Sequence, residues 1–496
     1  MLETMFRDRR IFWAVMLALF AAQIAFRSTS EMNHDAAWYL YVAQGLAQGK
    51  AMYRDFMEVN PPLAAWETLP VAWTANITGL SMALVFNAML FALTAGSVAL
   101  AGRYLARLSG FTPALLRLAM VLCAAALLFF PGGSFGEREH ILSILVLPWL
   151  LMRAARAESA RFGVVEAVLI GIIAALGFCL KPHTLLAPLA VEAALALVRR
   201  DVRGIFAPEN WAAGLTAVLY VVAIKLFTPE FFTVMLPLAL RAYVPFIGLD
   251  RTTILLGGLG GAGSLVLGFM LYRLSGGGSR ALLAAFLAAA VGFLAAYYLQ
   301  AKGFSYQMLP ALVFAALSAL AILPQRASDA APPKLRRNLA VPLAAVLVLA
   351  NIHGQSYLYL GRIIDDLVAK ERPGATSLFV ASTNLSLGFP TVTRGGYTWG
   401  SRFPAQWLAP YVSTVWQSGD LPPDDIAIQA LSWSVTDLIN TRPDIVFVDT
   451  ANDQAYVPGG TFDYIGFWSL DPRFAAFWQD YELRQTFFGL AVYVRR

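Results

Sequence analysis

The side chains with the greatest capacity for chemistry gather in five short polar segments set between long apolar runs. The first, Asn33 to Leu63, carries His34-Asp35, Tyr39, Tyr53, Asp55 and Glu58 and ends in Pro61-Pro62-Leu63. The second, Gly136-Glu137-Arg138-Glu139-His140, packs four ionisable groups into five positions. Lys181-Pro182-His183 is the third, Pro237 to Pro245 with Arg241 and Tyr243 the fourth, and Gln300 to Gln307 with Lys302 and Tyr306 the fifth. Of the four histidines, His34, His140 and His183 stand beside charges in these segments. Ionisable groups at the edge of apolar spans are costly to keep and are commonly retained for use.

Asp35 is the leading candidate for a general base, since a carboxylate within hydrogen-bond reach of a hydroxyl can accept its proton. It also fits the N-cap of a helix over Ala36 to Gln48. Asp55 and Glu58 either shape the loop or meet a substrate amine or a metal. In a helix starting near Glu137, Glu137 and His140 share a face at i,i+3 while Arg138 and Glu139 point elsewhere. That pattern suits a network orienting Asp35 or engaging an acceptor, and it equally suits an exposed ion-pair patch. Lys181, Arg241 and Lys302, with His183, supply cationic character where a leaving phosphate would develop negative charge. Gly303 allows close backbone approach beside Lys302, and a lysine snorkelling to the interface is the alternative. Arg241 and Tyr243 fit an interfacial helix bordering a lipid groove. Tyr39, Tyr53, Tyr243 and Tyr306 complete the candidate substrate surface. A divalent metal on Asp35, Glu139 and His140 is conceivable, yet no spacing matches a standard ligand motif, so no metal site and no certain cofactor is expected.

The elements that must position these groups are membrane spans. The chain is 58% hydrophobic and 14% charged, with a mean hydropathy of +0.61, a composition of polytopic membrane proteins. The net charge of +6 falls largely in short loops between apolar runs, so nucleic acid is not an expected partner. Cys123 and Cys179 lie within apolar runs and imply no disulfide framework. Apolar runs give about eleven spans, near 11–27, 82–102, 115–130, 141–152, 163–180, 184–198, 211–227, 252–272, 281–299, 308–323 and 339–354. Arg clusters alternate with the polar segments between them, which places the N-terminus inside and the polar segments outside. The expected fold is therefore mainly α: a transmembrane bundle over 1–354, with a first outer loop at 28–81, followed by an outward-facing soluble α/β domain over 355–496. In that domain Ser377 to Val380 and Asp444 to Val448 read as strands. Gly257 to Gly263 lies inside an apolar run, where it suits close helix packing better than a phosphate cradle.

The order of an early Asp35, a helix-like YLYVAQGLAQG, Tyr53-Arg54-Asp55 and Pro61-Pro62-Leu63 resembles the first outer loop of polytopic GT-C glycosyltransferases. That group includes the protein mannosyltransferase and aminoarabinose transferase families. Asp35 is followed by Ala36, where an Asp-Glu pair is common in both, and the tail lacks the Trp-Trp-Asp signature of oligosaccharyltransferases. The resemblance implies Asp35 as base, Lys181 and Lys302 as phosphate-binding groups, and inverting transfer of a sugar from a polyprenyl-phosphate donor. The acceptor would be a hydroxyl of a lipid, glycan or protein, and membrane lipid a further partner. It implies a multi-pass protein of the bacterial inner (plasma) membrane that serves cell-envelope polysaccharide biosynthesis, with the tail periplasmic. Two other classes fit the same residues: a flippase for a lipid-linked glycan, and a non-catalytic subunit of a polysaccharide assembly machine.

Overall fold

The computed structural model describes residues 5–274, 277–324, 360–416 and 419–496. The chain forms two compact units. The first comprises Met1–Ser30, Phe86–Val222 and Asp250–Ser356; the second comprises Glu31–Val85, Ala223–Leu249 and Tyr357–Arg496.

The first unit is helical. Seven helices among the described residues are long and apolar enough to cross a membrane: Arg9–Thr29, Met82–Leu105, Arg138–Ala157, Pro208–Phe227, Arg251–Arg273, Arg280–Gln300 and Ser305–Ile322. The runs near 115–130 and 163–180 form the shorter apolar helices Pro113–Phe129 and Val164–Cys179. The run near 184–198 forms the 14-residue helix Leu186–Arg199, whose length of roughly 21 Å falls short of a hydrocarbon core of about 30 Å. The run near 339–354 lies outside the described residues. Hydrophobicity alone finds these runs, but helix length depends on where each is capped, and several are cut short by caps and 3-10 turns. The reverse holds for the run near 141–152, which extends to Arg138–Ala157 and draws Arg138, Glu139 and His140 into its first turn.

That helix is the axis of the unit. It is buried over 89% of its apolar window, whereas Pro208–Phe227 and Arg251–Arg273 are buried over only 11% and 17% and turn leucines and valines outward. Apolar faces on the outside, around a helix that is sequestered, are what lipid as solvent favours. Pro148 sits within the Arg138–Ala157 helix and cannot donate to the carbonyl four residues back. The Ser97 hydroxyl donates to Ile144 O instead, at 2.7 Å, so the proline leaves no orphaned acceptor in the core. Small residues set the closest approaches: a Cβ on Gly171 would lie 2.1 Å from Glu209 O, and one on Gly292 would lie 2.4 Å from the Ala187 Cα. In the glycine-rich run, a Cβ on Gly257 would lie 2.5 Å from the Tyr297 hydroxyl oxygen, the geometry of tight helix packing.

The second unit joins the first polar loop and 223–249 to the tail. The loop supplies the helices His34–Ala47 and Leu63–Thr78. The tail carries five strands, β1 Ser377–Ala381, β2 Thr398–Trp399, β3 Ile445–Asp449, β4 Tyr481–Phe487 and β5 Leu490–Arg495, in the order β2-β1-β3-β5-β4. β1 is parallel to β2 and β3, while β3–β5 and β5–β4 are antiparallel. β1 and most of β3 are buried throughout, which suits central strands covered on both faces. Phe488 and Gly489 both have positive φ and form the two-residue turn joining β4 to β5.

Candidate functional site

The first unit gathers the second, third and fifth polar segments. Gly136 has φ +87°, and a Cβ there would lie 2.7 Å from the Phe86 ring, so the chain enters the Arg138–Ala157 helix through a position only glycine fits well. His140 is fully buried. Gly136 N donates to its Nδ1 at 3.0 Å, and its Nε2 meets Leu127 O at 2.8 Å. The ring is therefore neutral with its proton on Nε2, and both nitrogens are held by backbone.

Glu139, expected to point elsewhere than Glu137 and His140, faces Lys181. It forms an ion pair with Lys181, and each residue is 4% exposed. Lys181 Nζ also lies 5.0 Å from the centre of the Tyr306 ring, a cation–π contact. The segment after Lys181 is pinned by Thr184, whose hydroxyl donates to Phe178 O and Lys181 O at 2.5 and 2.7 Å. His183 is held neutral: burial pushes its pKa down to about 3, and the positive charges of Lys181 and Arg138 push the same way. Glu137, Arg138 and Lys302 are all buried. Lys302 follows the left-handed cap Ala301, and burial lowers its amine to about 8. Glu139 Oε2 and His183 Nε2 are buried with no hydrogen-bond partner among the described residues. Buried polar atoms are rarely left so without a ligand or water to meet them.

The second unit holds the first and fourth segments. The cap of the His34–Ala47 helix is Asn33, not Asp35: its Oδ1 accepts from Asp35 N at 2.9 Å and Ala36 N at 3.4 Å. Asp35 lies in the first turn with its side chain 17% exposed, 4.0 Å from His34 Nε2. Negative charge is favoured at that end of a helix. The other two acids between Asn33 and Leu63 are held by local donors. Glu58, 4% exposed, accepts from Trp38 Nε1 at 2.7 Å and from Asn60 N at 3.0 Å, and Asp55 accepts from Ala51 N at 2.7 Å. Tyr53, at φ +61°, donates to Asn60 O at 2.8 Å and packs on Phe231; Tyr39 is buried in the same helical layer.

Arg241 lies on the π-helical turn Ala239–Tyr243, 3.8 Å from Asp424, while Tyr243 packs edge-on against Trp407. Asp424 also caps the Asp425–Thr441 helix and accepts from the Tyr411 hydroxyl at 2.7 Å. Arg241 thus leans on an acid with a structural task. Further ties fix the first loop to the sheet: Met57 N donates to Arg402 O at 2.7 Å, Thr393 Oγ1 to Ala37 O at 2.8 Å, and Trp399 N to the Tyr41 hydroxyl oxygen at 3.0 Å.

Among the described residues no three His, Cys, Asp or Glu side chains are placed to hold a metal ion. No family model matches the chain, and no curated protein matches it.

One group lies outside the sequence reading. Tyr456 lies in the tail, and Asp35 acts electrostatically on its phenol. No local spacing connects the two.

Proposed function

We propose that the chain is an integral-membrane glycosyltransferase of the GT-C kind, transferring a sugar from a polyprenyl-phosphate donor to a hydroxyl acceptor with inversion. The observation that carries this reading is that Asn33 performs the capping that would otherwise explain Asp35. Glu58 and Asp55 are tied to local backbone and indole donors, and of the three acids between Asn33 and Leu63 this reading gives the chemistry to Asp35.

In this reaction the acceptor oxygen attacks the anomeric carbon, its proton passes to Asp35, and the bond from that carbon to the phosphate oxygen breaks. The electron pair leaves with the polyprenyl phosphate. Asp35 is the base of this reading, and the resemblance gives Lys181 and Lys302 as the groups that would stabilise a departing phosphate. Glu139 pairs with and orients Lys181, and Glu139 Oε2 and His183 Nε2 offer hydrogen-bonding positions to sugar hydroxyls. The apolar outer helices suit a donor whose lipid chain stays in the bilayer, and the alternation of Arg-rich loops favours the outer face of a bacterial inner membrane for the reaction.

The test is incubation of the purified protein with labelled polyprenyl-phosphate sugars and candidate acceptors. Release of the lipid phosphate by the parent, lost in Asp35→Asn with donor binding retained, is the expected result. Movement of donor across vesicles without bond cleavage would assign a flippase instead. Release by Asp35→Asn at the parent rate would remove Asp35 from the mechanism.

A further inference from the structure

The tail gathers its unmet hydrogen-bond donors in one place. Among its described residues four buried side-chain polar atoms have no partner: Gln406 Nε2, Trp407 Nε1, Trp416 Nε1 and the Tyr464 hydroxyl. Gln406 and Tyr464 line a single cavity, walled by the rings of Phe403, Phe462, Phe467 and Trp468. Trp416 packs against Phe462 and Phe467 with ring centres 5.7 and 5.1 Å apart, and Trp407 against Phe403 at 5.6 Å. Buried polar atoms seldom go unmet, so a cluster of them around one cavity marks a place where something else supplies the acceptors. The frame around it is already fixed. Gln406 N donates to Ser382 O, just past β1, at 2.8 Å. The buried Gln454 holds Phe462 at both backbone atoms, donating to its O at 3.2 Å and accepting from its N at 2.7 Å, and Asp463 caps the helix Tyr464–Trp468 by accepting from Gly466 N at 2.9 Å. Burial and the charge of Asp449 raise the pKa of the Tyr464 phenol well above its ordinary value, so its hydroxyl keeps the proton and can donate.

Charge, polarity and size together say what fits. No charged side chain lines the cavity, so it matches neither a phosphate nor an ammonium group. Amide and indole N–H groups only donate, which calls for a carbonyl oxygen, and the aromatic walls call for an apolar tip beside it. The cavity measures about 310 Å³ with its open mouth included, and its inner end has room for only a few heavy atoms, too little for a whole sugar ring. A carbonyl and a methyl group on one small neutral substituent make an acetamido group. We propose that this cavity binds the acetamido group of an N-acetylated amino sugar, its carbonyl oxygen accepting from Gln406 Nε2 and the Tyr464 hydroxyl and its methyl packed among the rings. The acetamido group is read from the cavity itself; that a sugar carries it rests on the transfer reading, and it would make the acceptor a glycan with an N-acetylated unit.

The test is saturation-transfer NMR on the full-length protein in lipid nanodiscs, with N-acetylglucosamine, N-acetylgalactosamine, glucose and Nε-acetyl-lysine as probes. The expected result is transfer centred on the acetamido methyl protons of an amino sugar, none to glucose, and an affinity about tenfold weaker in Tyr464→Phe and in Gln406→Met, each of which removes one donor. The thermal midpoint of Tyr464→Phe should hold, because the lost hydroxyl has no partner among the described residues. A lowered midpoint with no sugar bound by the parent would give the cavity to an ordered water and overturn the proposal. No transfer to either amino sugar, equal transfer to glucose, or equal affinity in the parent and both variants overturns it as well. Transfer to Nε-acetyl-lysine alone overturns the sugar assignment. Release of lipid phosphate is measured separately: amino-sugar binding by a protein that releases none leaves this cavity's ligand standing and sinks the transfer reading instead.

Discussion

Replacing Glu209 with Gln should loosen the first unit far more than loss of a surface ion pair. Glu209 is 0% exposed and lies where three helices meet. Its Oε1 accepts from Arg153 Nη1 and Arg156 Nε, each at 2.7 Å, and its Oε2 accepts from Arg156 Nη2 at 3.0 Å. Arg153 keeps a second acid, Glu192, through bonds of 2.6 and 2.7 Å, and also donates to Gly204 O at 2.9 Å. Arg156 loses its carboxylate altogether, and the new amide would set its own N–H groups against the guanidinium. Three charge-assisted bonds at about 1.5–3 kcal/mol each would total more than the variant can lose, because Arg156 is 19% exposed and recovers some hydration. Removing one partner of a buried pair costs about 3–5 kcal/mol, and that is the expected loss. Reversible denaturant unfolding in mixed micelles, followed by tryptophan fluorescence, would measure it. The double variant Glu209→Gln with Arg156→Met should recover much of the loss, since the uncompensated cation is gone. A cost under about 1 kcal/mol, in the range of exposed pairs, would refute the view that this network clamps the axial helix.

Two further outcomes follow from single groups. Burial lowers the Lys302 amine to about 8, and a bound phosphate favours its charged form; donor affinity should therefore be greatest below pH 8 and fall toward tenfold per unit above it. Equilibrium binding of a polyprenyl phosphate would show this, and Lys302→Gln should bind weakly with no such slope. Burial alone would raise the Asp444 carboxyl, but hydrogen bonds from the backbone and hydroxyls of Thr376 and Ser377 outweigh it and bring the pKa down to about 2. Because the folded value lies below the unfolded one, its stabilisation is complete above the ordinary Asp value of 3.8 and is lost as pH falls toward 2. Asp444→Asn should cost about 1–3 kcal/mol at pH 7, with the two unfolding curves converging in acid; a constant gap across that window would contradict the argument.

The amino-acid sequence by itself determined where the apolar helices run, because lipid and a sequestered core both demand uninterrupted hydrophobic stretches. It also marked the strands β1 and β3, whose Leu378-Phe379-Val380 and Ile445-Val446-Phe447 runs admit burial on both faces. The polar segments were equally plain, since charges beside apolar runs stand out by type alone. The tertiary structure decided what those charges do. Whether Glu139 faces away or pairs with Lys181 depends on the first residue of the Arg138–Ala157 helix, and a shift of one residue turns a side chain by about 100°. Whether Asp35 or Asn33 caps the next helix depends on backbone angles at a single residue, which composition does not encode. That Pro148 is accommodated depends on a serine hydroxyl from another helix, and that Tyr456 feels the Asp35 charge depends on a loop at the far end of the chain. Periodicity and hydrophobicity are local averages and survive in the sequence. Partnerships between distant side chains are fixed only when packing brings their segments together.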